Sequence, residues 1–218
     1  MSLDTDKPVG PRSSKGERTR AKLLRAAKEV FEEHGFVEAR ISDIAERAGL
    51  SYGAFYHYFP SKEEIFREVA AFHERQLGSV VVAHAEQADS PPDSVITARL
   101  EAANRRYLAE YREDARIMGV IEQVTRYDGV LDEARLYRHK LYTERLAEAI
   151  VQLQRLGRAD PGVDPSVGSQ AIMAMVTRFA EAWFVQGRID TDFEDGVAQL
   201  NRLCLNALRG PGAPGADA

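Results

Sequence analysis

The sequence predicts an all-α chain of about nine helices, and three observations carry that prediction. Apolar residues recur at three- and four-residue spacing through most of the chain beyond residue 16. Strand signals are weak: β-branched runs are short, and the one Asp-Gly, Asp128-Gly129, lies between helical patterns. Helix stops and starts punctuate the pattern, notably Gly35, Gly49, Pro60-Ser61 and the run Asp89-Ser90-Pro91-Pro92-Asp93.

The elements follow in order. Residues 1–15 are rich in Pro, Gly, Ser and charge and read as a disordered arm, weakly basic through Lys7, Arg12 and Lys15. The first helix is expected over 17–34, with Leu24, Ala27 and Phe31 on one face and Gly35 as its stop. Short helices follow at 41–48, ending at Gly49, and 52–58. Pro60 breaks the third, and Ser61-Lys62-Glu63-Glu64 is a capping box that starts a fourth running to about 87. Further helices are expected at 93–111, 114–127, 130–156, 166–187 and 193–209, with a loop from Gly157 to Pro165. Residues 211–218 read as a disordered tail. The domain reading is 16–62, then 63–210.

Composition narrows the function. The net charge is −5, yet eleven Lys and Arg against nine Asp and Glu lie between Arg12 and Arg67, a mildly basic head on an acidic body. No apolar run is long enough to span a membrane, and no secretory signal is expected of the N-terminal residues. Cys204 is the only cysteine, which fits a reducing cytosol. No G-x-S-x-G, P-loop, GxGxxG or H-E-x-x-H occurs, and the histidines (34, 57, 73, 84 and 139) are scattered. Neither an enzyme, a metal site nor a cofactor is expected.

The segment Ile41–Phe59 has the physics of a helix-turn-helix. Ile44 and Ala48 face inward, and Ala45 is small where two helices cross. Gly49 permits the positive φ of a tight turn, Leu50 is expected to be buried, and Ser51 caps the next helix. Phe55 and Phe59 point into the core. The outward face is Tyr52, Gly53, Ala54, Tyr56, His57 and Tyr58: small residues for close approach to base edges, hydroxyls for phosphates. Tyr56 and Tyr58 equally suit packing, and His57 a solvated surface.

The run D-I-A-x-x-A-G-x-S-x-G-x-x-Y-x-Y-F-x-S-K-E-E, from Asp43 to Glu64, resembles the DNA-binding signature of the TetR family of transcriptional regulators. With the first helix, the resemblance covers about residues 17–66. It implies a three-helix DNA-binding domain followed by a larger helical ligand-binding and dimerisation domain. It implies base-facing roles for Tyr52, Gly53 and Ala54, phosphate or thymine-methyl contacts for Tyr56 and Tyr58, and a phosphate contact for Lys62 at the start of the fourth helix. DNA contact is expected of the set Arg40, Ser42, Ser51, Tyr52, Gly53, Ala54, Tyr56, His57, Tyr58 and Lys62. Arg40 departs from the family, which usually has Thr or Ser there; Ser42 is expected to supply the cap, leaving Arg40 for phosphate.

The resemblance further implies a cytoplasmic repressor that binds a palindromic operator as a homodimer through its last two helices. A small, mostly apolar effector would release it. An activator, or a regulator without an effector, fits the same residues. Val197, Leu200, Cys204 and Leu208 form an apolar stripe on the last helix, read as the dimer face over ordinary intrachain core. Candidates to line an effector pocket are Tyr107, Tyr111, Met118, Glu122, Thr125, Tyr142, Met175, Arg178, Phe179 and Trp183, with Ile121, Tyr127 and Tyr137 beside them. Each also reads as core or a snorkelling surface residue. Arg178 is expected to pair with Glu122 or Glu181, or to bind an anionic ligand.

Overall fold

A computed structural model describes residues 14–82 and 93–209, so the expectations for the N-terminal arm, the Asp89–Asp93 break and the C-terminal tail lie wholly or largely outside the described residues. The helices are α1 (Ser14–Glu38), α2 (Ile41–Arg47), α3 (Tyr52–Phe55), α4 (Lys62–Val82), α5 (Asp93–Glu113), α6 (Ala115–Thr125), α7 (Gly129–Arg155), α8 (Pro165–Ala180) and α9 (Phe193–Ala207), with a π-helical turn at Glu181–Val185. No strand occurs among the described residues, and no helix among them is long and apolar enough to cross a membrane. The chain packs as two units: residues up to His73 with Val120–Leu131, and Glu74–Gly119 with Asp132 onward.

In the first unit, Gly35 breaks α1 with φ 70° and ψ 176°, and one further turn follows. Leu23, Ala27, Val30 and Phe31 of α1 are fully buried with Ile44, Ala45, Phe55, Phe59, Ile65 and Phe66. Phe31 meets Phe66 edge to face at 4.9 Å, and Phe36 lies 4.9 Å from the same ring. Edge-to-face pairs add to area burial because the positive ring edge meets a negative face. Gly49 takes φ 69°, as the tight turn requires. Leu50, expected to be buried, is half-buried. α3 is shorter than its periodicity suggests: past Phe55 the chain tightens, with Tyr58 N–H on Phe55 O at 2.9 Å.

Half of the capping box forms. The Glu64 amide donates to Ser61 Oγ at 3.2 Å, but the Glu64 carboxylate accepts from Arg67 instead of reaching back. Arg67 also pairs with Asp128 at 3.1 Å, and Asp128 caps α7 by accepting from the amides of Val130 and Leu131.

In the second unit, α5, α8 and α9 pack on one another. Asp164 caps α8 by accepting from Val167 N–H at 2.9 Å, with Pro165 in the first turn; Asp192 caps α9 through Asp195 N–H at 3.0 Å. A buried amide pair, Asn104 Nδ2 to Asn201 Oδ1 at 2.7 Å, ties α5 to α9 and satisfies both groups away from water. Val197, Leu200, Cys204 and Leu208 are buried in the chain's own core, so this stripe is intrachain packing and not the dimer face expected of it. The predicted helix over 166–187 ends in the π turn, where Gln186 N–H reaches Glu181 O five residues back at 3.0 Å. Trp183, on that turn, fills the space beside Gly196: a Cβ there would lie 2.1 Å from Trp183 Cη2.

Candidate nucleic-acid interface

Ser51 sets the start of α3. Its extended backbone (φ −74°, ψ 155°) and its Oγ, which accepts from Ala54 N–H at 3.3 Å, begin the helix. Phe55 and Phe59 then anchor one side of the segment in the core, which forces Tyr52, Gly53, Tyr56 and His57 outward. Ala54 and Tyr58, expected on the outer face, are half-buried. Gly53 faces open space: a Cβ there would meet nothing within 4 Å.

Tyr52 and Tyr56 are 56% and 42% exposed, unusual for large aromatic rings on a short, well-anchored helix. Their hydroxyls hydrogen-bond at 2.8 Å and their rings meet edge to face at 5.3 Å. The hydrogen bond with the Tyr52 hydroxyl, and then desolvation, push the Tyr56 proton affinity above its ordinary value, so Tyr56 remains a neutral phenol at physiological pH. One hydroxyl of the joined pair donates to the other, and the second hydroxyl's proton is left to donate to an anionic oxygen.

Beside this pair lies an open hollow of about 460 Å³, lined by Ala39, Arg40, Ile41, Ser42, Tyr52, Tyr56, Pro60, Ser61, Lys62 and Glu63. The hollow joins the start of α2, the outer face of α3 and the start of α4. Arg40 occupies the position before α2 in extended conformation (φ −116°, ψ 145°) and is exposed. It makes no ion pair or side-chain hydrogen bond among the described residues. Ser42 does not cap α2: its Oγ donates to the Asp43 carboxylate at 3.0 Å, and the helix starts with no side-chain cap. The presence of Glu63 on the hollow's lining went unforeseen; its place in the first turn of α4 was the available signal.

Two cations that charge counting treats as available are otherwise engaged. Arg47 makes a two-pronged bond to Glu33 at 2.7 and 2.6 Å, holding the Glu33 carboxyl below its usual range and joining α2 to α1. Lys62 Nζ donates to three backbone oxygens, Phe36 O, Val37 O and Ala39 O, at 2.8, 3.1 and 2.9 Å. An ammonium has three N–H donors. The phosphate contact expected of Lys62 is therefore not what this arrangement provides.

The effector candidates divide between the units. Glu122 and Thr125 belong to the first, where Thr125 Oγ1 donates to Ile121 O at 2.8 Å and is thereby satisfied in the core. In the second unit Tyr107, Tyr111, Met118 and Trp183 are buried, while Tyr142, Met175 and Phe179 are half-buried. The Tyr137 side chain lies outside the described residues. Trp183 stacks on Phe184 at 4.5 Å and meets Phe179 at 5.5 Å; Tyr111 lies 6.4 Å from Phe184. Phe184 and Phe193 complete this cluster and were not foreseen, Phe193 carrying Arg112 at 4.1 Å over its ring. Arg178 is exposed and pairs with Glu181 one turn on, which makes it a surface ion pair and removes it from the pocket candidates.

Residues 23–69 match the family model of bacterial regulatory proteins, tetR family. The uncharacterized HTH-type transcriptional regulator YdgC of Bacillus subtilis (strain 168) is 46% identical over 63 residues, which are 28% of this chain and 32% of that protein. The HTH-type transcriptional repressor BepR of Brucella suis is 26% identical over 200 residues, covering 88% of this chain and 93% of BepR. The fold of SmeT, the repressor of the Stenotrophomonas maltophilia multidrug efflux pump SmeDEF, superposes with a TM-score of 0.69 at 22% identity, over 91% of this chain and 94% of SmeT. Residues 23–69 thus carry a helix-turn-helix similar to that of bacterial regulatory proteins of the tetR family, and the all-helical fold of the chain is the one seen in SmeT.

Proposed function

We propose that the chain is a cytoplasmic transcriptional repressor whose first unit binds a two-fold operator as a homodimer and whose second unit takes up a small, mostly apolar effector. The observation that carries the DNA reading is the joined, exposed pair Tyr52 and Tyr56 beside the hollow that also holds Arg40. The hydroxyls and guanidinium suit backbone phosphates, and Gly53 allows close approach to base edges. BepR and SmeT, both repressors, support the sign of regulation.

A dimer follows from recognition physics, since one short helix buries too little surface for an operator and two copies read half-sites about 34 Å apart. The last two helices offer a face for it: Val167 is 68% and Leu203 51% exposed, and Ala171 and Ala174 continue the exposed side of α8. The aromatic cluster around Trp183 supports an apolar effector. Coupling would run through α4, which begins in the first unit and ends in the second.

The test is fluorescence anisotropy with upstream intergenic DNA across a salt series. Selective binding with a steep negative salt slope is expected, and Arg40→Ala should make that slope shallower by about one unit. Weak binding, equal for random duplex, would sink the reading.

A further inference from the structure

Lys62 is the first residue of α4. A cation at a helix N-terminus opposes the helix dipole, so this position needs negative partners nearby. The backbone oxygens of Phe36, Val37 and Ala39 supply them, and the ammonium also lies 4.7 Å from the centroid of the Phe36 ring. These carbonyls belong to the corner between Gly35, where α1 breaks, and Ile41, where α2 begins. A broken helix leaves carbonyls without intrahelical donors, and the ammonium takes up three of them. The start of α2 has no side-chain cap of its own, so the corner depends on contacts from elsewhere.

We propose that Lys62 is a positioning residue for DNA binding and not a phosphate ligand: it clamps the α1–α2 corner to the start of α4, and so holds Arg40 on the hollow shared with Tyr52 and Tyr56. Arg40 directly follows Ala39, whose carbonyl the clamp holds. One lysine thereby places a second, unpaired cation where an anion arrives. This rests on the DNA-binding reading above.

Two measurements test it. In the wild-type protein without DNA, an amine-acylating reagent should modify Lys62 about tenfold more slowly than the exposed Lys22, because its hydrogen bonds must break first. Peptide mass spectrometry reads the two rates, and adding duplex should leave the Lys62 rate unchanged. Labelling as fast as Lys22, with protection appearing only when duplex is added, overturns the proposal. The second measurement uses Lys62→Met, which keeps most of the apolar stem, on a duplex selected from a random pool by the wild-type protein. At a temperature where circular dichroism finds the variant folded, affinity should fall about tenfold at every salt concentration with the salt slope unchanged. A slope shallower by about one unit makes Lys62 a phosphate ligand and overturns the proposal. Undiminished affinity with a lowered melting temperature leaves only a structural staple, and overturns it too. If Lys62→Met does not fold, the wild-type labelling decides. If the wild-type protein selects no duplex, the DNA-binding reading fails and the positioning role with it, while the labelling rate separately reports whether the clamp exists.

Discussion

The first unit turns two tyrosines out to solvent, while the second folds its Trp183 cluster inward, and the contrast separates exposed aromatic surface from enclosed aromatic surface. Tyr52 and Tyr56 spend their hydroxyls on each other and leave their outer faces free. Phe179, Trp183, Phe184 and Phe193 spend their surfaces on one another and on Gly196. An aromatic side chain says little about its role until its neighbours are known. On α3 the anchors at Phe55 and Phe59 fix the outward direction; around the π turn, α9 closes over the rings.

Five substitutions would break or sharpen this comparison. Phe31→Ala should cost about 3–5 kcal/mol of folding stability, because it empties the fully buried centre of the first unit. Urea denaturation followed by circular dichroism measures it, and a loss under 1 kcal/mol would mean the ring is not the keystone of that unit. Gly196→Ala should cost about 1–3 kcal/mol by forcing Trp183 off its seat, with operator affinity unchanged where the protein is folded. An unaltered melting temperature would show that the tryptophan has room.

Ser51→Ala and Asp164→Ala each remove one N-cap and should each cost about 1 kcal/mol. Only Ser51→Ala should also weaken operator binding; equal effects on binding would erase the distinction between the units. Smallest in stability, within about 0.5 kcal/mol, is Tyr52→Phe, which removes one exposed hydroxyl. It should lower operator affinity several-fold and bring the Tyr56 phenol back down toward its ordinary value in an NMR titration.

Cys204 supplies a pH test of the packed unit. Burial pushes its thiol up to about 11. The folded state holds this proton more tightly than the unfolded state, so its contribution to stability is complete below about pH 9 and is lost as pH rises toward 11. A thiolate-directed reagent at neutral pH should react only after unfolding; rapid reaction with the folded protein would place the sulfur at the surface.

Local chemistry was legible in the sequence. Gly35, Gly49 and Ser51 act within a few residues of themselves, and their turns and cap stand where the pattern put them. Long-range partners were not. Lys62 bonds carbonyls 23 to 26 positions away, a distance at which spacing carries no signal, so a cation beside a recognition helix reads as a phosphate ligand. The stripe from Val197 to Leu208 marked a buried face correctly but did not say what covers it, since α5 and a partner chain demand the same apolar pattern. Ser42 was short and polar at a helix start, yet it lies inside α2, past the N-cap position held by Arg40, and its hydroxyl donates to Asp43. The π turn was invisible because it adds one residue to a turn without changing residue type.

Trp183 is the chain's only tryptophan. Its indole is therefore a native optical reporter confined to one half of the molecule, reporting on the second unit while the first contributes only tyrosine and phenylalanine. On the proposed apolar-effector reading, the emission colour and quenching of this fluorophore, stacked on Phe184, should change on binding. Candidate effectors can be ranked by titration into unlabelled protein, with DNA release followed separately on a dye-tagged duplex, so that occupancy and response are recorded from one cuvette in two channels.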